Sequence, residues 1–465
     1  MPTQSQDGAT PLVLKVLLVS TYELGRQPFG LASPAAWLRQ AGMEVRCADL
    51  AVEDLPEGAL TTADLVAFFV PMHTATRLAV PLISRVKKRH PQAHICCYGL
   101  YAPPNADYLR RLGVGTILGG EFEAGLVHLC KRLQQGDTQR QVEPLISLER
   151  QDFMVPDRQD LPDLSQYAQL QNGAGSPVTV GYVEASRGCK HHCRHCPVVP
   201  VYEGKFRIVQ QAVVLEDIRQ QVAAGARHIT FGDPDFFNGI GHAIPLVEAV
   251  HRAYPGLTYD VTIKVEHLLK QVKHLPALRQ TGCALITSAV ESMDDRVLAL
   301  LNKGHTREDF IQVVQLCRDE GLVLNPTFVP FTPWTRLEDY LDLLGLLRDL
   351  DLVDQMAPIQ LAIRLLIPEG SSLLDLPQVR ALMGRFEPER LGYVWAHPDP
   401  RMDQLCHEIT ARVRKGESEG ASRRAIFSAI WAGAHQTLDE AGPIPKLSFV
   451  RPSATIPFLT EPWYC

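Results

Sequence analysis

Residues 187–197 read Arg-Gly-Cys-Lys-His-His-Cys-Arg-His-Cys-Pro, which spaces Cys189, Cys193 and Cys196 as Cys-x3-Cys-x2-Cys. A loop can wrap three thiolates around one face of a metal group, whereas a rigid helix or strand at this spacing cannot. Three thiolates with no fourth cysteine nearby suit a [4Fe-4S] cluster that leaves one iron open for substrate chemistry. Two other readings compete. One is a structural zinc with His191, His192 or His195 as its fourth ligand. The other is three unligated thiols, which on a loop would be an oxidation hazard without a role.

The elements around the triplet make it the loop after the first strand of a βα series. Apolar runs at 178–183, 228–231, 259–265, 284–287, 323–328 and 359–366 predict six strands, each followed by helical sequence. That is the pattern of a partial TIM-type (β/α)6 barrel over 176–375, with its site at the carboxyl ends of the strands. Upstream, strands are expected at 14–19, 44–47, 65–70, 94–98 and 116–118. Helices are expected at 33–40 (Ser33 as N-cap, Pro34 in first position), 78–89, 104–112 and 121–133. Together these make a doubly wound, Rossmann-like α/β domain over 12–135. Its ligands belong at the strand ends: Thr21-Tyr22, Pro71-Met72-His73-Thr74, Gly99-Leu100-Tyr101 and Gly119-Gly120-Glu121. Residues 1–11 read as a disordered tail. The stretch 136–175 reads as a linker, polar near 136 and glycine-rich near 174. A helical C-terminal region follows over 376–441, with helices at 376–385, 402–414 and 422–434. The proline-rich stretch 442–465 must run as an extended arm.

Composition narrows the function classes. Hydrophobic residues make up 46% of the 465 and charged residues 21%, as in an ordinary globular protein. The net charge of −6, without a long basic run, gives sequence-independent nucleic-acid binding no electrostatic footprint. No apolar run approaches the length of a membrane span. The polar first ten residues lack the pattern of a signal peptide, so a cytoplasmic location is expected. Eleven cysteines without an export signal argue for metal or redox chemistry rather than a disulfide framework. Cys47, Cys96, Cys97, Cys130, Cys283, Cys317 and Cys406 fall mostly in predicted strands and helices and read as small buried hydrophobes.

The triplet resembles the cluster motif of the radical S-adenosylmethionine superfamily, and the resemblance extends over most of the chain. It implies that the open iron chelates the amino and carboxylate groups of S-adenosylmethionine. One electron, from a reductant such as flavodoxin or ferredoxin, then cleaves the sulfur–C5′ bond to give a 5′-deoxyadenosyl radical that abstracts hydrogen from substrate. Phe231-Gly232-Asp233-Pro234-Asp235 follows the second strand, where the family holds the methionine ammonium. The resemblance therefore puts Gly232 there with Asp233 or Asp235 as acceptor, while an Asp-Pro turn is the plain alternative. Lys264 and Glu266 end the third strand, where the family has ribose or carboxylate contacts. Residues 288–292 and 301–306 resemble its fourth-strand segment, which implies Ser288 or Ser292 reaching the cofactor and Glu291 supporting the cofactor site from behind. Asn325 and Arg364 end the fifth and sixth strands, and Arg364 could pair with a carboxylate. His195 stands where the family commonly has a large aromatic near adenine, and an imidazole can stack there.

A doubly wound domain ahead of such a barrel resembles the cobalamin-binding subgroup, in many members of which the corrin lies between the two domains. The long signature Asp-x-His-x-x-Gly is absent: Ser20-Thr21-Tyr22-Glu23-Leu24-Gly25 occupies its place. Members of the subgroup often bind without the histidine ligand, so Thr21, His73, Gly119 and Gly120 remain the implied cobalamin positions. Gly119-Gly120 would allow close approach of a nucleotide tail. The implied reaction is methylation of an unactivated carbon, or a rearrangement, on an unidentified small molecule or peptide. The contrasting reading is a zinc-stabilised module that senses a small molecule. The terminal Glu461-Pro462-Trp463-Tyr464-Cys465 resembles the tail of a subgroup with two adjacent thiol-type residues, the second often selenocysteine. This predicts a selenoprotein, with a UGA codon directly after Cys465.

Overall fold

The computed structural model describes residues 13–171, 175–438, 443–449 and 457–460. The N-terminal tail expected at 1–11 and the terminal Cys465 lie outside them. The chain forms two compact units. One takes in residues up to 22, 28–149 and 156–162; the other takes in 23–27, 150–155 and 163 onward.

The first unit is a six-stranded, all-parallel sheet. Its strands are β1 (Lys15–Ser20), β2 (Glu44–Asp49), β3 (Leu65–Phe69), β4 (His94–Tyr98), β5 (Thr116–Gly120) and β6 (Ile146–Ser147), in the order β2-β1-β3-β4-β5-β6. Every residue of β3 is buried, as a strand covered by helices on both faces requires. Alternate residues feed two cores. Val16, Leu18, Leu65 and Ala67 pack with Leu31 and Leu126 on one face; Leu17, Val19, Val66 and Phe68 pack with Ile83 and Val86 on the other. The expected end at 135 falls short, because β6 pairs with β5 inside the stretch read as linker.

The first helix begins at Phe29 rather than at Ser33, so Pro34 lies inside it. Proline has no N–H to donate to the carbonyl four residues back. That carbonyl, on Gly30, instead accepts from the buried Tyr98 hydroxyl at 2.8 Å. Ser33, expected as the cap, donates to Glu123 at 2.7 Å. Tyr98→Phe keeps the ring but strands the Gly30 carbonyl. We expect a loss of about 1–2 kcal/mol, read as a lower urea midpoint with an unchanged slope.

The second unit is built on a seven-stranded, curled half-barrel sheet. Its strands, continuing the numbering, include β7 (Gln169–Gln171) and β8 (Val178–Val183). A side hairpin follows, β9 (Ser186–Gly188) with β10 (Phe206–Ile208), and then β11 (His228–Phe231), β12 (Thr258–Thr262), β13 (Cys283–Glu291) and β14 (Leu324–Phe328). β8 and β11–β14 are parallel neighbours; β7 runs antiparallel beside β8. The sixth strand expected at 359–366 does not form. Residues Pro358–Leu361 make a 3-10 turn, and a single parallel bridge, Phe331 with Arg364, is all that remains of it. Helices Pro400–Ser418 and Arg423–Leu438 match the expected pair. The helix expected at 376–385 shrinks to four residues, Pro377–Arg380, followed by an antiparallel pair, β15 (Met383–Glu387) with β16 (Gly392–Trp395). Within the proline-rich stretch, β17 (Phe458–Leu459) pairs with β7. Among the described residues, no helix is long and apolar enough to cross a membrane.

Candidate functional site at the carboxyl edge of the half-barrel

The cysteine loop leaves the sheet through β9 and returns through β10, an antiparallel pair that fixes both of its ends. Backbone and side-chain bonds hold it between. Arg194 donates from its backbone to the Leu301 carbonyl at 2.9 Å. Asn302 donates to the His192 carbonyl at 2.9 Å, and Ser371 donates to that of Arg194 at 3.1 Å. Cys189 and Cys193 are buried and Cys196 is half-buried. Burial, and then the charges that Cys193 and Cys189 would carry, push the Cys196 thiol up to about 12. Burial raises the Cys189 thiol as well, and buried thiols such as these two ionise readily only against a cationic group, which suits them as metal ligands. Lys264 donates to the Cys193 sulfur at 3.6 Å. The cysteines are not among the groups whose ligand atoms converge within 4.8 Å, as a single ion would require. A wider group, such as a four-iron cluster, fits these donors better than one zinc ion. Nor do the histidines proposed for zinc turn to a common point: His191 faces Asp235 and Glu266, His195 faces Glu291, and His192 packs against Gly204.

The segment after β11 has two separate tasks. Asp233 accepts from the Ala185 backbone at 3.0 Å and from the Ser186 hydroxyl, so it braces the entry to the cysteine loop. Asp235 caps the next turn through Oδ1, accepting from Phe237 at 3.2 Å, and turns Oδ2 toward two histidines. Burial would raise the Asp235 carboxyl, but His191 and His267 hold it below the usual carboxylate range. Gly232 is required by packing: a Cβ there would lie 1.8 Å from the Tyr182 hydroxyl.

Burial pushes Asp233 up to about 7, and its bonds to Ser186 and Ala185 offset this only in part. The folded chain therefore binds this proton more tightly than the unfolded chain, whose value is near the ordinary 3.8. The stability it contributes is complete below about pH 4 and is lost as pH rises through about 7. Asp233→Asn should remove that fall from the pH profile of the thermal midpoint.

Lys264 and Glu266 do not end a strand. β12 stops at Thr262, Lys264 precedes the helix Val265–Lys270, and Glu266 lies within it beside Lys270. β13 carries a register shift between Ala289 and Glu291, and Glu291 takes φ +73°. Such an irregularity re-aims a side chain. Here it directs Glu291 to His195 Nε2 at 3.1 Å and Lys303 Nζ at 3.4 Å. Burial alone would raise Glu291, yet the Lys303 charge and the His195 bond hold it down to about 2. His195 is thus tied to a carboxylate at the site. His305 lies buried nearby; burial, then Lys303 and Lys264, lower it to about 4, so its imidazole is neutral at pH 7.

Two expected positions fall away from the edge. Asn325 is second in β14 rather than at its end, and donates to Thr287 at 3.2 Å. Arg364 does pair with a carboxylate, but one of this chain's own: Asp403 at 2.6 Å, with its guanidinium 3.5 Å above the Trp395 ring. Ser288 is wholly buried with its hydroxyl unpartnered. The same is true of His191 Nε2, His195 Nδ1, Asp235 Oδ2, His267 Nδ1 and both nitrogens of His305. Orphaned buried polar atoms are costly, and their concentration beside the cysteines marks a place built for polar ligands. Lys303, His305 and His267 were not selected from sequence. The first two lie in the 301–306 segment, while His267 carried no signal.

In the first unit, the strand order changes direction between β1 and β3, the crevice where doubly wound sheets bind ligands. Thr21, just past β1, donates to the Ala75 carbonyl at 2.8 Å across that crevice. His73, expected at a strand end, is the first residue of the helix His73–Arg89. Gly119 and Gly120 are accounted for within the sheet. A Cβ on Gly119 would meet Pro103 at 2.2 Å, and one on Gly120, at φ +70°, would meet the Ser147 carbonyl at 2.1 Å. The Ser20 hydroxyl and Asn105 Oδ1 are buried without partners.

Comparison with known proteins agrees with this geometry. Residues 183–344 match the family described as the Radical SAM superfamily. Among curated relatives, a hopanoid C-3 methylase of Methylococcus capsulatus is 24% identical over 69% of this chain and 64% of its own length. A tRNA-2-methylthio-N(6)-dimethylallyladenosine synthase of Chlorobaculum tepidum is 32% identical over 34% of this chain and 38% of its own. The chain thus spans less than two thirds of these relatives. Among solved structures, OxsB, a cobalamin-dependent S-adenosylmethionine radical enzyme with aqua-cobalamin and S-adenosylmethionine bound, aligns with TM-score 0.67. That alignment has 13% identity and covers 92% of this chain and 72% of OxsB. TsrM from Kitasatospora setae, a radical S-adenosylmethionine methyltransferase with cobalamin and a [4Fe-4S] cluster bound, aligns with TM-score 0.57. It has 16% identity and covers 73% of this chain and 71% of TsrM.

Proposed function

We propose that this chain, which carries a radical SAM domain, is a cobalamin-dependent enzyme that methylates a carbon of a small-molecule or peptide substrate, working in the cytoplasm with a flavodoxin- or ferredoxin-type reductant. The observation that carries the reading is the conjunction of a doubly wound parallel unit with a half-barrel whose carboxyl edge bears Cys189, Cys193 and Cys196. When bound, the cluster supplies the electron that cleaves S-adenosylmethionine, and cobalamin carries the methyl group. The three cysteines would hold the cluster. The Lys264 ammonium beside Cys193 offsets negative charge on the thiolates. Glu291 fixes His195 and Lys303 in place, and His305 offers a neutral imidazole that can accept or donate one proton. In the first unit, Ser20 and Asn105 present unpartnered oxygens that would meet a polar ligand.

The test is anaerobic reconstitution of the full chain, followed by assays for iron, sulfide and retained cobalamin and for products of S-adenosylmethionine. We expect about four irons and four sulfides per chain, cobalamin that survives gel filtration, and formation of 5′-deoxyadenosine under reducing conditions. A colourless, zinc-loaded chain without cobalamin would overturn the reading, and a labelled product with rearranged carbons but no added methyl would replace methylation.

A further inference from the structure

Within the half-barrel unit, among the described residues, one group of histidine, cysteine, aspartate and glutamate ligand atoms converges within 4.8 Å: His191, Asp235 and His267. None of the three is a cluster ligand. His191 Nε2 lies 3.3 Å from Asp235 Oδ2, and His267 Nδ1 lies 2.7 Å from the same oxygen. The distances are short enough for hydrogen bonds, yet all three atoms lack a partner with hydrogen-bond geometry, and Asp235 is completely buried. The two rings stand 4.7 Å apart, inclined at 59°. Two imidazole nitrogens and a buried carboxylate oxygen gathered this closely can share one cation.

We infer that His191, Asp235 and His267 form a second metal site, separate from the cysteines, for a divalent cation of the zinc and iron(II) class. Two imidazoles and one carboxylate are donors suited to these metals, with a further position left open. With bonds of about 2.1 Å, ligand atoms around a tetrahedral ion lie roughly 3.4 Å apart, so the observed spacing needs only small side-chain rotations. The surroundings fit as well. A metal-bound histidine usually points its other nitrogen at a carboxylate, and His191 Nδ1 lies 3.6 Å from Glu266 Oε2. Glu266 is itself held by Lys270, and the other oxygen of Asp235 is fixed by the Phe237 amide. The ion ties three pieces of chain together: the cysteine loop through His191, the end of β11 through Asp235, and the helix after β12 through His267.

The probe is Zn²⁺, which binds such donors at least as tightly as iron(II) does and is counted separately from cluster iron. The cluster-loaded full chain is dialysed against zinc and then against buffer, and zinc, iron and sulfide are counted. We expect about one retained zinc per chain. His267→Ala and Asp235→Asn should each abolish retention without lowering iron or sulfide, and Glu266→Gln should weaken it about tenfold. A chain with all three cysteines replaced by alanine should lose iron and sulfide but keep its zinc, and should lose that zinc on adding His267→Ala. Should His267→Ala unfold by circular dichroism, Asp235→Asn and Glu266→Gln carry the same test. No zinc on a cluster-loaded chain, or zinc unchanged in every variant, overturns the assignment. Failure of the cluster to form, with zinc still bound through His267, overturns the proposed function and leaves this site standing.

Discussion

Cys193→Ala will empty the chain of its cluster and abolish all cleavage of S-adenosylmethionine. The three cysteines are the minimum set that holds a four-iron cluster with one iron open. Cys193 is the middle cysteine of the three, buried, and the one that Lys264 approaches. Iron and sulfide should fall to background and 5′-deoxyadenosine should become undetectable. Far-ultraviolet circular dichroism should stay the same, because the loop is held by bonds from Arg194, Asn302 and Ser371 that do not involve the sulfur. Cys317→Ala is the matched control. That thiol is pushed up to about 12 by burial in the core, so its loss should lower stability but leave iron content untouched. Retained cleavage in Cys193→Ala would refute the assignment of the loop.

Gly232→Ala should be the most damaging single methyl group in the half-barrel unit. Its Cβ would lie 1.8 Å from the Tyr182 hydroxyl oxygen and 2.2 Å from the ring carbon bearing it. Tyr182 has no easy retreat, being buried beneath the Arg26 guanidinium at 4.9 Å. Either the ring or the Asp233–Asp235 segment must move. We expect a loss of about 3 kcal/mol, seen as a lower denaturation midpoint, together with reduced iron retention because Asp233 braces the entry to the cysteine loop. In a Tyr182→Ala background the same change should cost little more. Full additivity of the two substitutions would show that the contact is not the cause.

Much of the fold was legible because its strands are short apolar runs bounded by turn residues. The sixth strand was not, and the reason is general: a buried apolar run does not declare its backbone. Ile359, Leu361 and Ala362 are buried in the main core together with Met402, Leu405 and Ile430 of the C-terminal helices, so they gain burial without joining the sheet. The helical reading of 376–385 failed because cross-strand pairing overrode local pattern: Phe386 and Tyr393 face each other 5.4 Å apart in β15 and β16. The Ser33-Pro34 signal looked like a helix start because the hydroxyl that satisfies Gly30 comes from Tyr98, far along the chain. At the site, the cysteine spacing was readable because it is local. The partnership of Glu291 with Lys303 and His195 depends on an irregularity in β13, and the meeting of His191 with His267 depends on the cysteine loop reaching the helix Val265–Lys270.

The pairing of β17 with β7 has a consequence for how the chain reaches this state. Gln169 exchanges bonds with Thr460, 291 residues away. Until the ribosome has made that final strand, the outer side of β7 presents unpaired amides and carbonyls, an invitation to strand addition by another chain. Loop closure over such a separation is also slow to nucleate. The half-barrel can therefore assemble early only with this side of β7 uncovered, until residues 458–460 dock against it.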